Sequence, residues 1–270
     1  MGDFSSATLS GALQLLRRSP RLRRSLWAWL LVGLVFTEAV SLGLALAHSH
    51  DEALVAVAAA IWWALVGVFF LLGASWLRLP DGTAIDYYGI PNGLSVLRAW
   101  CCLPLLLTTS LSLPDRWNLI CFSVLGGTAG MLDYVDGQVA RRIGPITMLG
   151  KALDPAGDAL LFSVGAVAAS QVGIMPTWLV GVILVRYLGP MLLTPVVFLL
   201  HRRPELVHTR WGRINTALVG LVFFILMWVR IFNGPVDAVA FGVGVPLLVP
   251  TALLHFVSLF QRVRSAPESV

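Results

Sequence analysis

Eight long apolar segments run through the chain, separated by short polar ones. Each is close to the ~20 residues that a helix needs to cross ~30 Å of hydrocarbon. Their approximate positions are 25–47, 54–77, 92–112, 117–140, 147–171, 176–200, 213–233 and 238–261. Because 57% of all residues are hydrophobic and only 12% are charged, the composition is not that of a soluble domain. The sequence therefore predicts an all-α integral membrane protein with eight spans.

The basic residues predict the orientation of these spans. Arginines precede the first span and follow the second, fourth, sixth and eighth spans, whereas the segment between the first two spans has neither Lys nor Arg. Only the segment with Asp115 and Arg116 is mixed. Since Lys and Arg concentrate in cytoplasmic loops, we expect both termini in the cytoplasm, together with the connection between the fourth and fifth spans.

Four aspartates lie in or beside the fourth and fifth spans: Asp133, Asp136, Asp154 and Asp158. A charged side chain within a bilayer costs several kcal/mol, so an acid there indicates function. The first two are three residues apart and the last two are four apart, so each pair shares one face of a helix. The turn signal Ile143-Gly144-Pro145 allows the second helix to return antiparallel to the first. Because Mg2+ and Mn2+ prefer oxygen ligands, the facing carboxylates predict a site for such an ion.

Small residues and one arginine accompany the acids. Gly137 and Ala140 lie one turn beyond the first pair, and Gly150 lies one turn before the second pair. Small side chains there leave room for a bulky ligand against the helix backbone, and the planar guanidinium of Arg141 suits a diphosphate. A buried ion-pair network without chemistry is the alternative, although few cations lie nearby to pair with four acids.

These positions follow the pattern D-x2-D-G-x2-A-R-x8-G-x3-D-x3-D. The pattern is the signature of the CDP-alcohol phosphotransferases, and the chain resembles that family at all eight fixed positions: Asp133, Asp136, Gly137, Ala140, Arg141, Gly150, Asp154 and Asp158. The resemblance implies transfer of a phosphatidyl or other substituted phosphoryl group from a CDP-linked donor to an alcohol, with release of CMP. It also implies a six-helix catalytic domain, here 81–265, preceded by an extension at 1–80 with two extra spans.

The resemblance assigns roles to individual residues. It implies that Asp133, Asp136, Asp154 and Asp158 bind Mg2+ or Mn2+, with two ions expected, and that Asp158 also takes the proton from the acceptor hydroxyl. The expected CDP-lipid ligands are Pro91, Asn92, Gly93, Gly137, Ala140, Arg141, Thr147 and Gly150. The first three belong to a segment that resembles the P-N-x-L-[ST] start of the first core helix of the family. Pro-Asn is also an ordinary helix start.

Three arginines are candidates for binding the acceptor. Arg186 lies within the sixth span, where a cation needs an anionic partner, and Arg210 and Arg213 follow that span. Together they can hold the phosphate of a phosphorylated alcohol. An ion pair between Arg186 and a motif acid is the alternative for the first. The other two are also explained as topology determinants or contacts to anionic lipid.

Local sequence favours one branch of the family. The segment 147–155 resembles the T-x-x-G-K-x-L-D-P run of the phosphatidylglycerophosphate synthases, and 212–217 resembles their G-K-x-K-T-A segment. Ala159 and Tyr187 depart from that branch, which usually has Lys and Glu there. We therefore expect CDP-diacylglycerol as donor and glycerol 3-phosphate as acceptor, with inositol phosphate, phosphatidylglycerol or another alcohol as alternatives.

A different class of protein also has to be considered. A non-catalytic membrane protein or a cation transporter could carry intramembrane acids, but the chain shows neither a second acidic segment nor an internal repeat. We expect membrane lipids as partners, no nucleic acid, and a homodimer, the last from the family resemblance alone. The expected location is a bacterial cell membrane, with the active site facing the cytoplasm.

Overall fold

The structure is a computed structural model that describes residues 9–47, 51–110, 115–142, 144–199 and 209–265. These residues are almost entirely helical, and their one β-bridge joins Arg78 to Ala84. The helices are α1 (Leu9–Arg18), α2 (Pro20–Leu46), α3 (Glu52–Leu72), α4 (Ile90–Trp100), α5 (Cys102–Ser110), α6 (Asp115–Arg142), α7 (Met148–Gln171), α8 (Thr177–Leu199), α9 (Arg210–Ile231), α10 (Val236–Val239) and α11 (Val245–Ser265). A 3-10 turn follows α3, and a π turn lies between α10 and α11.

Within the described residues, each of the eight predicted spans is mainly helical. Seven helical segments of the described chain are long and apolar enough to cross a membrane: Pro20–Leu46, Glu52–Trp76, Ile90–Thr109, Arg116–Val139, Met148–Gln171, Arg210–Ile231 and Val236–Arg264. The predicted sixth span corresponds to a shorter apolar stretch, Thr177–Leu193. The prediction of an all-α integral membrane protein is confirmed. The count of eight spans and the position of the termini stay predictions.

The surfaces of α2 and α3 expose large apolar side chains, as expected of helices that face lipid. Leu31, Val35, Leu65 and Phe69 are each about 60% exposed although they are large and apolar. In water such a surface would be costly, whereas hydrocarbon tails accept it at no cost. These two helices therefore fit the interior of a bilayer.

Residues 1–157 form one compact unit and residues 158–270 form another. In the first unit, α2 packs against α3, α4 and α5, and α4 packs against α6. The buried face of α2 carries a small residue at every fourth position: Gly33, Thr37, Ser41 and Ala45. Small residues at this spacing let neighbouring helices approach closely within a membrane.

The connection between the 3-10 turn and α4 is held by backbone hydrogen bonds. Ile85 N donates to Leu77 O over 2.7 Å, and Met148 N, at the first residue of α7, donates to Arg78 O over 2.8 Å. A turn at Gly82, whose φ is +89°, reverses the chain between these contacts. The segment between the 3-10 turn and α4 is therefore a tight non-helical turn, and Arg78 at its beginning contacts the start of α7.

In the second unit, α9 packs along α11, and α8 also contacts α11. Asn215 on α9 is buried and donates from Nδ2 to Leu248 O over 3.2 Å and to Thr251 Oγ1 over 2.7 Å. Tyr187 on α8 stacks on Phe162 of α7, with ring centroids 5.0 Å apart. Polar and aromatic contacts thus join the helices of this unit.

Candidate active site

The first two motif acids lie near the end of α6. Asp133 and Asp136 belong to its last three turns, and Gly137 follows them as a half-buried residue. The side chains of Asp133, Asp136, Ala140 and Arg141 lie outside the described part of the structure. The predicted helix end is confirmed, because α6 ends at Arg142 and α7 begins at Met148.

Thr147 joins the start of α7 to the start of α4. Its Oγ1 accepts from Gly150 N over 3.0 Å, as expected of an N-cap, and its hydroxyl donates to Asn92 Oδ1 over 3.1 Å. Thr147 and Asn92 are 1% and 3% exposed. A Cβ at Gly150 would lie 3.0 Å from the same Asn92 oxygen. The structure therefore brings together three of the predicted nucleotide-binding residues.

The neighbours of Asn92 on α4 differ in their surroundings. Pro91 occupies one of the first two helical positions, where its missing N–H costs nothing. Gly93 is buried, and a methyl group at this position would overlap the indole of Trp29 on α2. The predicted roles of Pro91 and Gly93 in donor binding stay predictions.

The other two motif acids lie on α7. Asp154 is exposed and Asp158 is half-buried, and their spacing of four residues places them on one face of the helix. Asp154 is thus the more exposed of the two acids on this face. Pro155 between them lacks the N–H that would bond to the carbonyl of Lys151.

The chemistry of these groups suits a hard divalent cation. Carboxylate oxygens are the ligands that Mg2+ and Mn2+ prefer, and Asp154 and Asp158 offer two of them on one helix face. No three potential metal ligands gather at one point among the described side chains, which exclude those of Asp133 and Asp136. The described donors therefore fit such an ion, and the complete metal set stays a prediction.

Arg98, which lies beside the helix that carries Asp154 and Asp158, was not identified as a candidate from the sequence. Arg98 on α4 is completely buried, and a Cβ at Gly157 would lie 2.6 Å from its Nη2. The guanidinium thus fills the space beside α7 that a side chain at position 157, directly before Asp158, would need. A charge within an apolar span was the signal that pointed to the four aspartates, and the same signal applied to Arg98.

Arg186 lies within the second unit and is 6% exposed. Its Nη2 donates to Gly212 O in the first turn of α9 over 3.3 Å, and its guanidinium lies 4.8 Å from the Tyr187 ring centroid. Its Nε has no hydrogen-bond partner among the described residues. Arg186 therefore combines one hydrogen bond to α9 with a buried N–H that has no partner among the described residues.

The two other predicted acceptor residues lie in the first turn of α9. Arg210 and Arg213 are both exposed. Thr209 caps this helix by accepting from Gly212 N over 2.9 Å, and its Oγ1 lies 2.7 Å from Nδ1 of the buried His255. Arg186 and the start of α9 are thus brought together through Gly212, whereas no described contact joins Arg210 or Arg213 to Arg186.

Comparison with known proteins identifies the chain at the level of the family. The model of the CDP-alcohol phosphatidyltransferase family matches residues 88–250. A CDP-diacylglycerol–glycerol-3-phosphate 3-phosphatidyltransferase of Sodalis glossinidius is 26% identical over 157 residues, 57% of this chain and 82% of that protein. No solved structure matches the chain.

Two further relatives match over shorter segments. A cardiolipin synthase (CMP-forming) of Streptomyces coelicolor is 39% identical over 72 residues, 27% of this chain and 32% of that protein. A CDP-diacylglycerol–glycerol-3-phosphate 3-phosphatidyltransferase of Bacillus subtilis is 41% identical over 58 residues, 22% of this chain and 30% of that protein. The chain spans about a third of the length of these two proteins. The family match covers more than half of the chain and includes the complete acidic motif, so the predicted family is confirmed: the chain belongs to the CDP-alcohol phosphatidyltransferase family.

Proposed function

We propose that the protein transfers a phosphatidyl group from CDP-diacylglycerol to glycerol 3-phosphate, forming phosphatidylglycerophosphate and releasing CMP. One observation carries the proposal: all eight motif positions are present within the family match, five of them on α6 and three on α7. The names of two relatives, from Sodalis and Bacillus, support this donor and acceptor.

The donor is held by residues at the starts of α4 and α7 and at the end of α6. The hydrogen bond between Thr147 and Asn92 supports this assignment, because it joins two polar side chains at buried positions. Gly137, Ala140 and Gly150 leave space for the nucleotide, and Arg141 binds the diphosphate with its planar fork. Pro91 and Gly93 complete the set.

The four motif aspartates hold the metal, for which we expect two Mg2+ or Mn2+ ions. The exposed position of Asp154, one turn before Asp158, supports this role. When bound, divalent cations offset the negative charge of the diphosphate. The aspartates supply carboxylate oxygens on two helices, α6 and α7. Within each pair, the spacing of three or four residues places both carboxylates on one face of the helix.

Asp158 acts as the general base of the reaction. It accepts the proton of the acceptor hydroxyl while the hydroxyl oxygen bonds to the phosphorus that carries the diacylglycerol group. The bond from that phosphorus to the oxygen of CMP breaks, and CMP leaves with the electron pair. The half-buried position of Asp158 supports this role, because an acceptor hydroxyl can reach a carboxylate that is not fully enclosed.

Arg186 binds the phosphate of the acceptor, with Arg210 and Arg213 at the entrance. The buried Nε of Arg186, which has no hydrogen-bond partner among the described residues, supports the assignment. A phosphorylated acceptor supplies the anion that such a buried donor requires. Inositol phosphate meets the same requirement, whereas phosphatidylglycerol offers a lipid phosphate instead.

We place the catalytic domain at 81–265, after an extension at 1–80, in a bacterial cell membrane with the site facing the cytoplasm. The arginines in the connections after the second, fourth and sixth spans support this orientation. Assembly as a homodimer follows from the family resemblance alone.

The proposal is tested by measuring CMP release. Purified protein in detergent is given CDP-diacylglycerol and Mg2+ or Mn2+, with glycerol 3-phosphate, inositol phosphate, inositol, serine or phosphatidylglycerol added separately. We expect metal-dependent CMP release with glycerol 3-phosphate. Release with another alcohol alone would contradict the acceptor, and absence of both CDP binding and CMP release would contradict the enzyme itself.

A further inference from the structure

Two tryptophans and two glycines form reciprocal contacts between α2 and α4. The indole of Trp29 on α2 fills the space that a side chain at Gly93 on α4 would take. In the opposite direction, the indole of Trp100 on α4 fills the corresponding space at Gly33 on α2. Trp100 is completely buried. Because each ring sits against the backbone of the other helix, α2 and α4 cannot slide or rotate past one another without a clash.

Hydrogen bonds from α3 hold the same two helices. Trp62 Nε1 donates to Ala99 O on α4 over 3.0 Å, and Trp63 Nε1 donates to Leu30 O on α2 over 2.8 Å. Trp100 Nε1 in turn donates to Trp63 O over 3.4 Å. The first three membrane-crossing segments are thus joined by indole groups whose polar ends are satisfied, as buried indoles require.

The chain just before α4 is also held by the N-terminal helices. Tyr88 N donates to Ser25 Oγ on α2 over 2.9 Å, and the Tyr88 hydroxyl donates to Phe70 O on α3 over 3.0 Å. Leu149 and Leu153 on α7 belong to the same buried apolar cluster as Leu26 and Phe70. The helices of the extension therefore contact both segments that carry Asn92 and Thr147.

We propose that the N-terminal extension is part of the donor site, and that Trp29 is a positioning residue that sets the affinity for the CDP-lipid through Gly93. The family match begins at residue 88, so Trp29 lies outside it. Gly93 directly follows Asn92, whose side chain bonds to Thr147. Trp29 thereby fixes the first turn of α4 in the position at which Asn92 reaches α7. The inference rests on the proposed function, because it takes Asn92 and Thr147 as donor ligands.

Substitution of Trp29 by Ala leaves a space beside Gly93 and frees the first turn of α4. The KM for CDP-diacylglycerol and the Kd for CDP should each rise ~10-fold, while the KM for glycerol 3-phosphate stays unchanged. Trp29→Phe should restore most of the donor affinity, because an aromatic ring still fills part of the space. Trp27→Ala is the matched control, since Trp27 lies on the same helix but is 61% exposed.

A double-mutant cycle separates positioning from a general loss of packing. Gly93→Ala alone should raise the donor KM, because its methyl group overlaps the Trp29 indole. In the double variant the smaller side chain at position 29 makes room for that methyl group, so the two effects should be clearly less than additive. Thermal unfolding in detergent is recorded for every variant. If Trp29→Ala does not fold, Trp29→Leu takes its place under the same criteria.

The outcomes distinguish this inference from the proposed function. A wild-type protein that neither binds CDP nor releases CMP would overturn both. An active wild-type protein whose donor KM is unchanged by Trp29→Ala would overturn the inference alone. So would equal increases in the KM of donor and acceptor, or additive effects in the cycle, because Trp29 would then support the fold without setting donor affinity.

Discussion

The Thr147 hydroxyl donates to Asn92 Oδ1 over 3.1 Å, although the two residues are 55 positions apart in the chain. The same Oγ1 caps α7 by accepting from Gly150 N. One threonine thus starts the helix that carries Asp154 and Asp158 and attaches it to the start of α4. The proposed donor site and the acidic helix α7 therefore share this contact.

Replacing Thr147 with Val should weaken both the helix cap and donor binding. The lost cap costs ~1 kcal/mol of stability, and the buried Asn92 oxygen loses a donor, which costs ~1–3 kcal/mol. We expect a lower unfolding temperature and a raised KM for CDP-diacylglycerol, both largely restored by Thr147→Ser. Thr128→Val is the control, because Thr128 is exposed and bonds only within α6. An unchanged donor KM in Thr147→Val would contradict the role of this contact.

Adding a methyl group at Gly157 should disturb the contact between α4 and α7. The new Cβ would lie 2.6 Å from Nη2 of the fully buried Arg98, so one of the two must move. Overpacking of this kind costs ~1–3 kcal/mol, measured as a lower unfolding temperature, and turnover should fall with it. Gly127→Ala on α6 meets nothing within 4 Å and should leave both quantities unchanged or slightly improve stability. If Gly157→Ala and Gly127→Ala have the same unfolding temperature and the same turnover, Arg98 does not constrain α7.

Replacing Arg186 with Met should affect the acceptor and spare the donor. Since its guanidinium is buried and donates to a carbonyl in the first turn of α9, we expect a KM for glycerol 3-phosphate at least ~10-fold higher, with the KM for CDP-diacylglycerol unchanged. Arg230→Met is the matched control, because Arg230 also donates to a backbone carbonyl, that of Val172, at the other end of α9. A similar acceptor KM in both variants would contradict the assignment.

Replacing Asp158 with Asn should remove the base while keeping much of the donor affinity. General base catalysis contributes ~10²–10⁴-fold, so turnover should fall by that factor. CDP should still bind in the presence of Mg2+ or Mn2+, more weakly than to the wild type. Asp237→Asn, at an exposed position in α10, should retain full turnover. Full activity in Asp158→Asn would exclude Asp158 as the base.

Apolar runs and the acidic pattern are local signals, and the features that depend on them could be predicted. Helix ends at Arg142 and Met148 agree with the turn signal at 143–145 because Gly and Pro act on their immediate neighbours. The predicted sixth span at 176–200 likewise agrees with α8, which is helical over Thr177–Leu199. Family membership followed from eight positions that lie within 26 consecutive residues.

Contacts between distant segments could not be predicted in the same way. The periodicity of small residues along α2 can indicate which face is buried. It cannot predict that Trp29 contacts Gly93 on α4. The bond between Thr147 and Asn92 depends on how α4 and α7 pack, which spacing in the sequence does not contain. Arg98 differs from these, because a buried charge within a span could have been recognised from the sequence alone.

The most direct measurement follows CMP and the lipid product together during reaction of CDP-diacylglycerol with glycerol 3-phosphate, before and after removal of divalent metal by a chelator. We expect equal amounts of CMP and phosphatidylglycerophosphate, loss of both with the chelator, and recovery when Mg2+ or Mn2+ is returned. Release of CMP without that lipid, or product formation that persists after complete metal removal, would contradict this expectation.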